Sequence, residues 1–193
     1  MIHPDTELRW IDEQIGYGVF VTKPIPKGTI VWIRCALDIT MTPAQVQALG
    51  EPYQPIFNHF AYFDSADNAI LCWDIARYVN HSCNPAMMPV GEEIEIAVRD
   101  LLPGDHLTCD YAYCNIPLQC SCGEPNCRSL VQAADLQTNS SAAAKLTQEA
   151  IQCSSQVAQA LLPFARNKEQ ANGLLTGQQE LPSYSIFHCP TRL

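Results

Sequence analysis

Three cysteines fall within eight residues at Cys120-Ser-Cys122-Gly123-Glu-Pro125-Asn-Cys127, and this C-x-C-x4-C cluster limits the folds open to the chain more than any other feature. Thiolates at this spacing can turn inward around one tetrahedral zinc, with Gly123 and Pro125 shaping the bend. Three ligands close no structural site, so a zinc reading obliges the fold to deliver a fourth from elsewhere; free thiols or a disulfide are the alternatives. The chain has ten cysteines in all, and its start, MIHPDTELRW, lacks the basic-then-apolar pattern of a secretory signal. Together these predict a reducing intracellular compartment, cytoplasm or nucleus, where thiols serve metals or chemistry.

Charge narrows the ligand. The 193 residues carry 11 basic and 20 acidic side chains, a formal net charge of −9. Residues 1–128 hold 7 basic and 16 acidic groups, whereas 129–193 hold 4 of each. An acidic face keeps a protein soluble, and it also disfavours direct nucleic-acid binding and favours a neutral or cationic partner. No apolar window reaches the roughly 18 residues of a membrane span, so no membrane partner is expected. The 47% apolar content is ordinary for a globular chain, and the length suits one domain with an appendage.

The first hundred residues read as short strands broken by turns. Gly16–Thr22 and Thr29–Ile33 are strand candidates, and Thr42 with Pro43 opens a short helix reaching Leu49. Phe57–Phe63 and Ala69–Trp73 read as a hairpin around Asp64–Asn68. From Glu92 to Val98, Ile94, Ile96 and Val98 share one face and Glu93 and Glu95 the other. Leu107–Tyr111 follows the Pro103-Gly104 turn. Beyond Arg128 the texture shifts to Ala, Gln, Ser and Leu. Leu146, Ala150, Cys153, Val157, Leu161 and Phe164 recur at steps of three and four, an amphipathic stripe that Pro163 interrupts. Such a stripe should bury its face on the main domain or on a second copy, giving a homodimer through the C-terminal helix. The last thirty residues, with Gly173, Gly177, Pro182 and Pro190, have no clear period.

Three segments stand out together: Gly16-Tyr17-Gly18, Arg77-Tyr-Val-Asn80-His81-Ser82-Cys83-Asn84-Pro85, and Leu107-Thr-Cys109-Asp110-Tyr111. Each alone reads as a turn, a packed histidine or a core tyrosine. In this order, with the cysteine cluster behind them, they resemble the SET-domain protein-lysine methyltransferases with their post-SET zinc element, over about residues 8–128. Arg77–Cys83 resembles the family's RFxNHSC signature, Gly104–Tyr111 its GEELTxDY signature, and Cys120–Arg128 the post-SET CxCGxxxCR.

The resemblance implies a mainly β fold with short helices, a SET β-clip-like arrangement whose NHSC segment threads under the GEEL–DY loop, followed by a helical C-terminal tail. It implies a SET domain at 8–114, a post-SET segment at 115–130 and an extension at 131–193. By the same resemblance Cys83 supplies the fourth zinc thiolate, joining Cys120, Cys122 and Cys127 around one structural zinc. Tyr111 matches the catalytic tyrosine. Asn80, His81, Arg77 and Tyr17, with Gly16 and Gly18, match contacts to S-adenosyl-L-methionine, and Tyr62 matches an aromatic near that cofactor. Cys109 stands where the family carries Phe or Tyr and sets the number of methyl groups. A residue this small predicts di- or trimethylation unless Tyr113 or Phe20 fills the gap.

The implied activity is in-line methyl transfer to a deprotonated lysine amine of a basic protein or peptide, with no metal in the chemical step. A SET-like binding module of little activity and an enzyme for a small amine are the alternatives. Departures from the pattern are Trp73-Asp74, Ala86, His106 in place of glutamate, and the lack of a cysteine-rich stretch before Gly16.

Overall fold

A computed structural model of the chain describes residues 1–114 and 116–180. Pro182, Pro190 and the rest of the predicted extension beyond residue 180 lie outside them. Short antiparallel sheets dominate, with few helices before the C-terminal third.

β1 (Thr6–Asp12) and β2 (Gly16–Val21) form a hairpin. β3 (Ile30–Ile33) belongs to the central sheet, and β4 (Ile39–Met41) to a second one. α1 (Pro43–Gln47) begins as predicted. The Thr42 hydroxyl accepts from the Gln45 N–H while the Gln45 side chain reaches back, a capping box with Pro43 in the first turn.

The next element differs from expectation. α2 (Tyr53–Phe60) is a helix where Phe57 onward read as strand, leaving only β5 (Tyr62–Phe63) to pair with β6 (Ala69–Leu71). The aromatic-rich run has β-like composition. Tyr53, Ile56, Phe57 and Phe60 nevertheless follow helical spacing, and burying Phe57 against Ala61, Ala69 and Leu71 decides the outcome.

A 3₁₀ turn at Ile75–Tyr78, capped by the Asp74 carboxylate, leads into β7 (Asn80–His81). The second Asp74 oxygen accepts from the Ile2 N–H at 2.8 Å, so this departure from the family pattern secures the N-terminal segment. β8 (Met87–Val90) and β9 (Ile94–Ala97) complete the central sheet in the order β3-β9-β8. β10 (Thr108–Cys109), shorter than predicted, lies parallel to β7, with Thr108 opposite Asn80 and Cys109 opposite His81. Parallel strands need a long crossover, here the β8–β9 hairpin and the loop after it.

β11 (Leu118–Gln119) and β12 (Leu130–Val131) close the cysteine-rich loop, so β12 straddles the boundary read at residue 130. α3 (Asp135–Ser154) starts well before the predicted stripe and ends inside it. Leu161 is buried, but Phe164 is 58% exposed on a second 3₁₀ turn, Leu162–Phe164, since Pro163 cannot continue a helix. α4 (Lys168–Leu175) follows.

The central sheet is buried on both faces. Ile30, Ile33, Val90, Ile94 and Ile96 face a core shared with Leu136, Ala150, Leu161 and Leu174 of the C-terminal third. Val31, Trp32, Met87 and Ala97 face the hairpin side. Of the stripe, Ala150 and Leu161 are buried within the chain and Leu146 is partly buried against the same core. The docking is close: a Cβ on Gly28 would come within 2.7 Å of the Ala150 carbonyl oxygen. No helix among the described residues is long and apolar enough to cross a membrane.

Candidate active site

The β7–β10 pair gathers the motifs. Ser82 N–H donates to the Cys109 carbonyl (3.0 Å) and Ala86 N–H to the Thr108 carbonyl (2.9 Å), extending the junction past the two short strands. Two residues beyond β10, Tyr111 turns back toward the NHSC segment. Its hydroxyl donates to the Val79 carbonyl at 2.9 Å, and its N–H donates to His81 Nδ1 at 3.2 Å. Burial holds the Tyr111 phenol far above its ordinary pKa, so it remains a hydrogen-bond donor.

On the other side of β7, the Asn80 side-chain amide donates to the Tyr17 carbonyl at 2.9 Å. A Cβ on Gly18 would meet His106 Nε2 at 2.6 Å and Asn80 Nδ2 at 3.0 Å, so any larger residue would force these side chains to move. His106 stacks on Phe20 with centroids 4.6 Å apart, and burial lowers its pKa. Its place beside Asn80 gives the departure from glutamate a role that the sequence did not signal. Trp10 and Tyr17 keep exposed rings beside this junction, in edge contact at 5.2 Å. Close backbone approach, side-chain amides and exposed aromatic faces fit a nucleoside-bearing ligand such as S-adenosylmethionine. Arg77 lies nearby on the 3₁₀ turn, its guanidinium on the carbonyls of Trp73 and Asp74.

A pocket of about 120 Å³ opens between these elements, with Tyr62, Val79, Glu95, Cys109 and Tyr111 among its walls. Tyr62, expected near the cofactor, thus shares a cavity with Tyr111, and its hydroxyl has no hydrogen-bond partner. Neither Phe20 nor Tyr113 is among the residues lining the pocket. The Cys109 thiol is pushed up first by its hydrogen bond to Cys114 and then by burial.

The cysteines converge on the same junction. Cys83 Sγ lies 3.9 Å from Cys120 Sγ, and Cys127 Sγ lies 3.7 Å from Cys120 Sγ. Zinc–sulfur bonds of about 2.3 Å in a tetrahedron set sulfur–sulfur edges of about 3.8 Å, so the donor set fits zinc. Burial pushes the Cys122 thiol up. Backbone N–H groups of Cys83 and Glu124, with the Cys120 and Cys127 thiols, outweigh that and bring it down to about 7.

His81 joins the group, since one donor atom each of His81, Cys83, Cys120 and Cys122 fits within 4.8 Å. Its Nδ1 lies 3.2 Å from the Tyr111 nitrogen and 3.6 Å from Asp110 Oδ1, and burial lowers the ring's pKa. Its Nε2 faces Cys83 Sγ at 3.3 Å. An imidazole at that distance either donates to the sulfur, as outer residues commonly do at metal sites, or serves as a ligand itself, according to its tautomer. Arg128 adds its N–H and Nε, both 3.4 Å from Cys83 Sγ, and extends to Asp110 (2.6 Å) and Asp135 (3.2 Å). One guanidinium thus joins the cysteine loop, the Tyr111 turn and the start of α3. All cysteines among the described residues are free.

The SET domain family matches residues 16–112, half of the chain. Histone-lysine N-methyltransferase trr of Drosophila melanogaster is 29% identical over 129 residues, covering 58% of this chain and 5% of that protein. The H3 lysine-36 specific histone-lysine N-methyltransferase of Cryptococcus neoformans is 26% identical over 130 residues, covering 61% and 16%. Histone-lysine N-methyltransferase ATX2 of Arabidopsis thaliana is 30% identical over 130 residues, covering 60% and 12%. The chain thus spans a small part of the curated relatives it matches.

Proposed function

From the premise that this chain belongs to the SET-domain family, we propose that it is an S-adenosylmethionine-dependent protein-lysine N-methyltransferase acting on a basic protein or peptide, such as a histone tail. One observation carries the reading: the pairing of Asn80 and His81 with Thr108 and Cys109, which sets the Gly16–Gly18 strand and the Tyr111 hydroxyl on either side of one narrow junction. The net charge of −9 suits a cationic substrate, and the names of the relatives give histone lysine as their substrate.

Gly16, Tyr17, Gly18, Arg77, Asn80 and His81 hold the cofactor, with Tyr62 at the border between cofactor and amine pocket. S-adenosylmethionine supplies an electrophilic methyl group on a cationic sulfonium. Tyr111 and the Val79 carbonyl orient the amine for in-line displacement, where alignment contributes much of the acceleration. The apolar walls disfavour the ammonium, whose pKa is about 10.4 in water, and so favour the reactive neutral amine. Cys109 leaves room for more than one methyl group. Cys83, Cys120, Cys122 and Cys127 hold one structural zinc that fixes the post-SET loop beside Tyr111. Free thiols in such number suit a reducing intracellular compartment.

The test pairs calorimetry with mass spectrometry. S-adenosylmethionine should bind, and in a mixture of basic proteins and free amino acids it should methylate protein lysine. Cofactor binding without transfer would indicate a binding module, and methylated free amines alone would indicate a small-molecule enzyme.

A further inference from the structure

Glu95 is the carboxyl group on the pocket wall, and the motifs leave it unused. It sits on β9 opposite Trp32 of β3 and Pro89 of β8. Strand alternation turns it away from Ile94 and Ile96 and toward the cavity it lines with Trp32, Met87, Cys109 and Tyr111. Its Oε2 is buried and has no hydrogen-bond partner. No cationic side chain lies within ion-pair distance of it among the described residues. Arg77, the guanidinium on the same wall, is engaged by the Trp73 and Asp74 carbonyls.

Buried carboxyl oxygens are normally hydrogen-bonded, so a pocket-wall carboxyl with one orphaned oxygen calls for a donor that arrives with the ligand. Burial alone pushes the Glu95 carboxyl up to about 7. Other titratable groups facing the cavity are His59 of α2, Tyr62 of β5, and Cys72, which follows β6. On the β10 side they are Cys109, Tyr111 and Cys114. Tyr62, Cys72 and Tyr111 are all pushed up by burial and stay neutral near pH 7.

We infer that Glu95 receives the substrate's ammonium group and takes its proton, making it the acid–base partner of the amine; this rests on the methyltransferase reading above. An N–H bond of the ammonium breaks, its electron pair stays on nitrogen, and the proton forms an O–H bond on Glu95. Ammonium and carboxylate become neutral amine and neutral carboxyl, the pair that a poorly solvated pocket favours. The amine lone pair then forms the new C–N bond as the methyl–sulfur bond breaks, leaving its pair on sulfur. Glu95 returns its proton to water as product leaves.

The experiment is the pH profile of kcat/KM for wild type and Glu95→Gln, using a synthetic arginine-rich peptide with one lysine. Wild type should lose rate as pH falls below about 7. Near neutral pH, Glu95→Gln should be slower by roughly 10²-fold, a typical acid–base contribution. The deficit should shrink as pH nears the ordinary lysine pKa, and cofactor affinity should hold. An active wild type whose Glu95→Gln variant keeps rate and profile would overturn the role of Glu95 alone. A wild type inactive on every acceptor would instead overturn the methyltransferase reading. Should the variant fail to fold, wild-type binding still decides. Affinity for the lysine peptide should rise through pH 7 relative to the same peptide with norleucine, and parallel curves would refute the inference.

Discussion

Cys109 and Glu95 face one cavity but differ in how far the sequence reveals them. Cys109 stands inside a recognisable motif, and its small side chain is a direct statement about space. The thiol is buried against Cys114 on the wall of the pocket, so the ring of Cys109→Tyr would project into the space proposed for the amine. That variant should shift products toward monomethyl-lysine without abolishing transfer, as read by mass spectrometry with excess cofactor. Wild type should proceed to di- or trimethyl-lysine. Glu95 was legible only as the polar side of an alternating strand, because one strand's pattern cannot say that a second layer covers that side. Its stability signature follows from a pKa raised from 4.5 to about 7 in the folded state. Below the unfolded value both states hold the proton and nothing is lost. As pH rises from there to about 7 the unfolded chain ionises first, and stability falls by up to roughly 3 kcal/mol. Glu95→Gln should therefore raise the melting temperature at pH 8 and leave it nearly unchanged at pH 4.

Local pairing at the scale of elements explains which segments were readable. The capping box of α1 and the turn after β5 are chemical statements within a few residues, and both form as the sequence indicates. α2 was misread because a two-residue strand and an aromatic helix compete for one stretch, and burial of Phe57 from outside it decides. The cysteine cluster proposed to hold zinc was legible as three thiols. The companions of Cys83, His81 Nε2 and Arg128, required the fold. Metal removal should act through these contacts. Chelation should abolish methyl transfer and raise amide exchange across residues 116–131, where β11 and β12 hold little but the loop. α3 should stay protected, since it packs independently on β8 and β9. Exchange spreading over the whole C-terminal third would show that zinc holds the extension as well.

For the molecule as a whole, the C-terminal third completes the sheet that presents the pocket. One face of β3-β9-β8 carries Trp32, Met87 and Glu95 toward the cavity, and α3 and α4 cover the other. Polar bonds reinforce the cover: Gln159 pairs with the backbone of Gly28 and Ile30, and Arg166 with the Glu93 carboxylate. The amphipathic stripe announced burial but not its partner, because many apolar faces of suitable size satisfy one helix. A cut after Ala134, which spares β12, should expose Ile30, Ile33, Val90 and Ile94. The shortened protein should aggregate or melt at a markedly lower temperature, whereas an unchanged melting curve would show the extension to be dispensable. The proposed activity rests on Tyr111. Its loss as Tyr111→Phe removes one hydroxyl and its bond to Val79, a stability change of about 1 kcal/mol. The decisive measurement is the transfer of an isotope-labelled methyl group from S-adenosylmethionine to a basic protein mixture, mapped by peptide mass spectrometry. Wild type should label lysine ε-nitrogen, and folded Tyr111→Phe, with cofactor affinity within a few-fold, should do so orders of magnitude more slowly. Equal labelling by both proteins, or none by a cofactor-bound wild type on any lysine, would contradict the assignment.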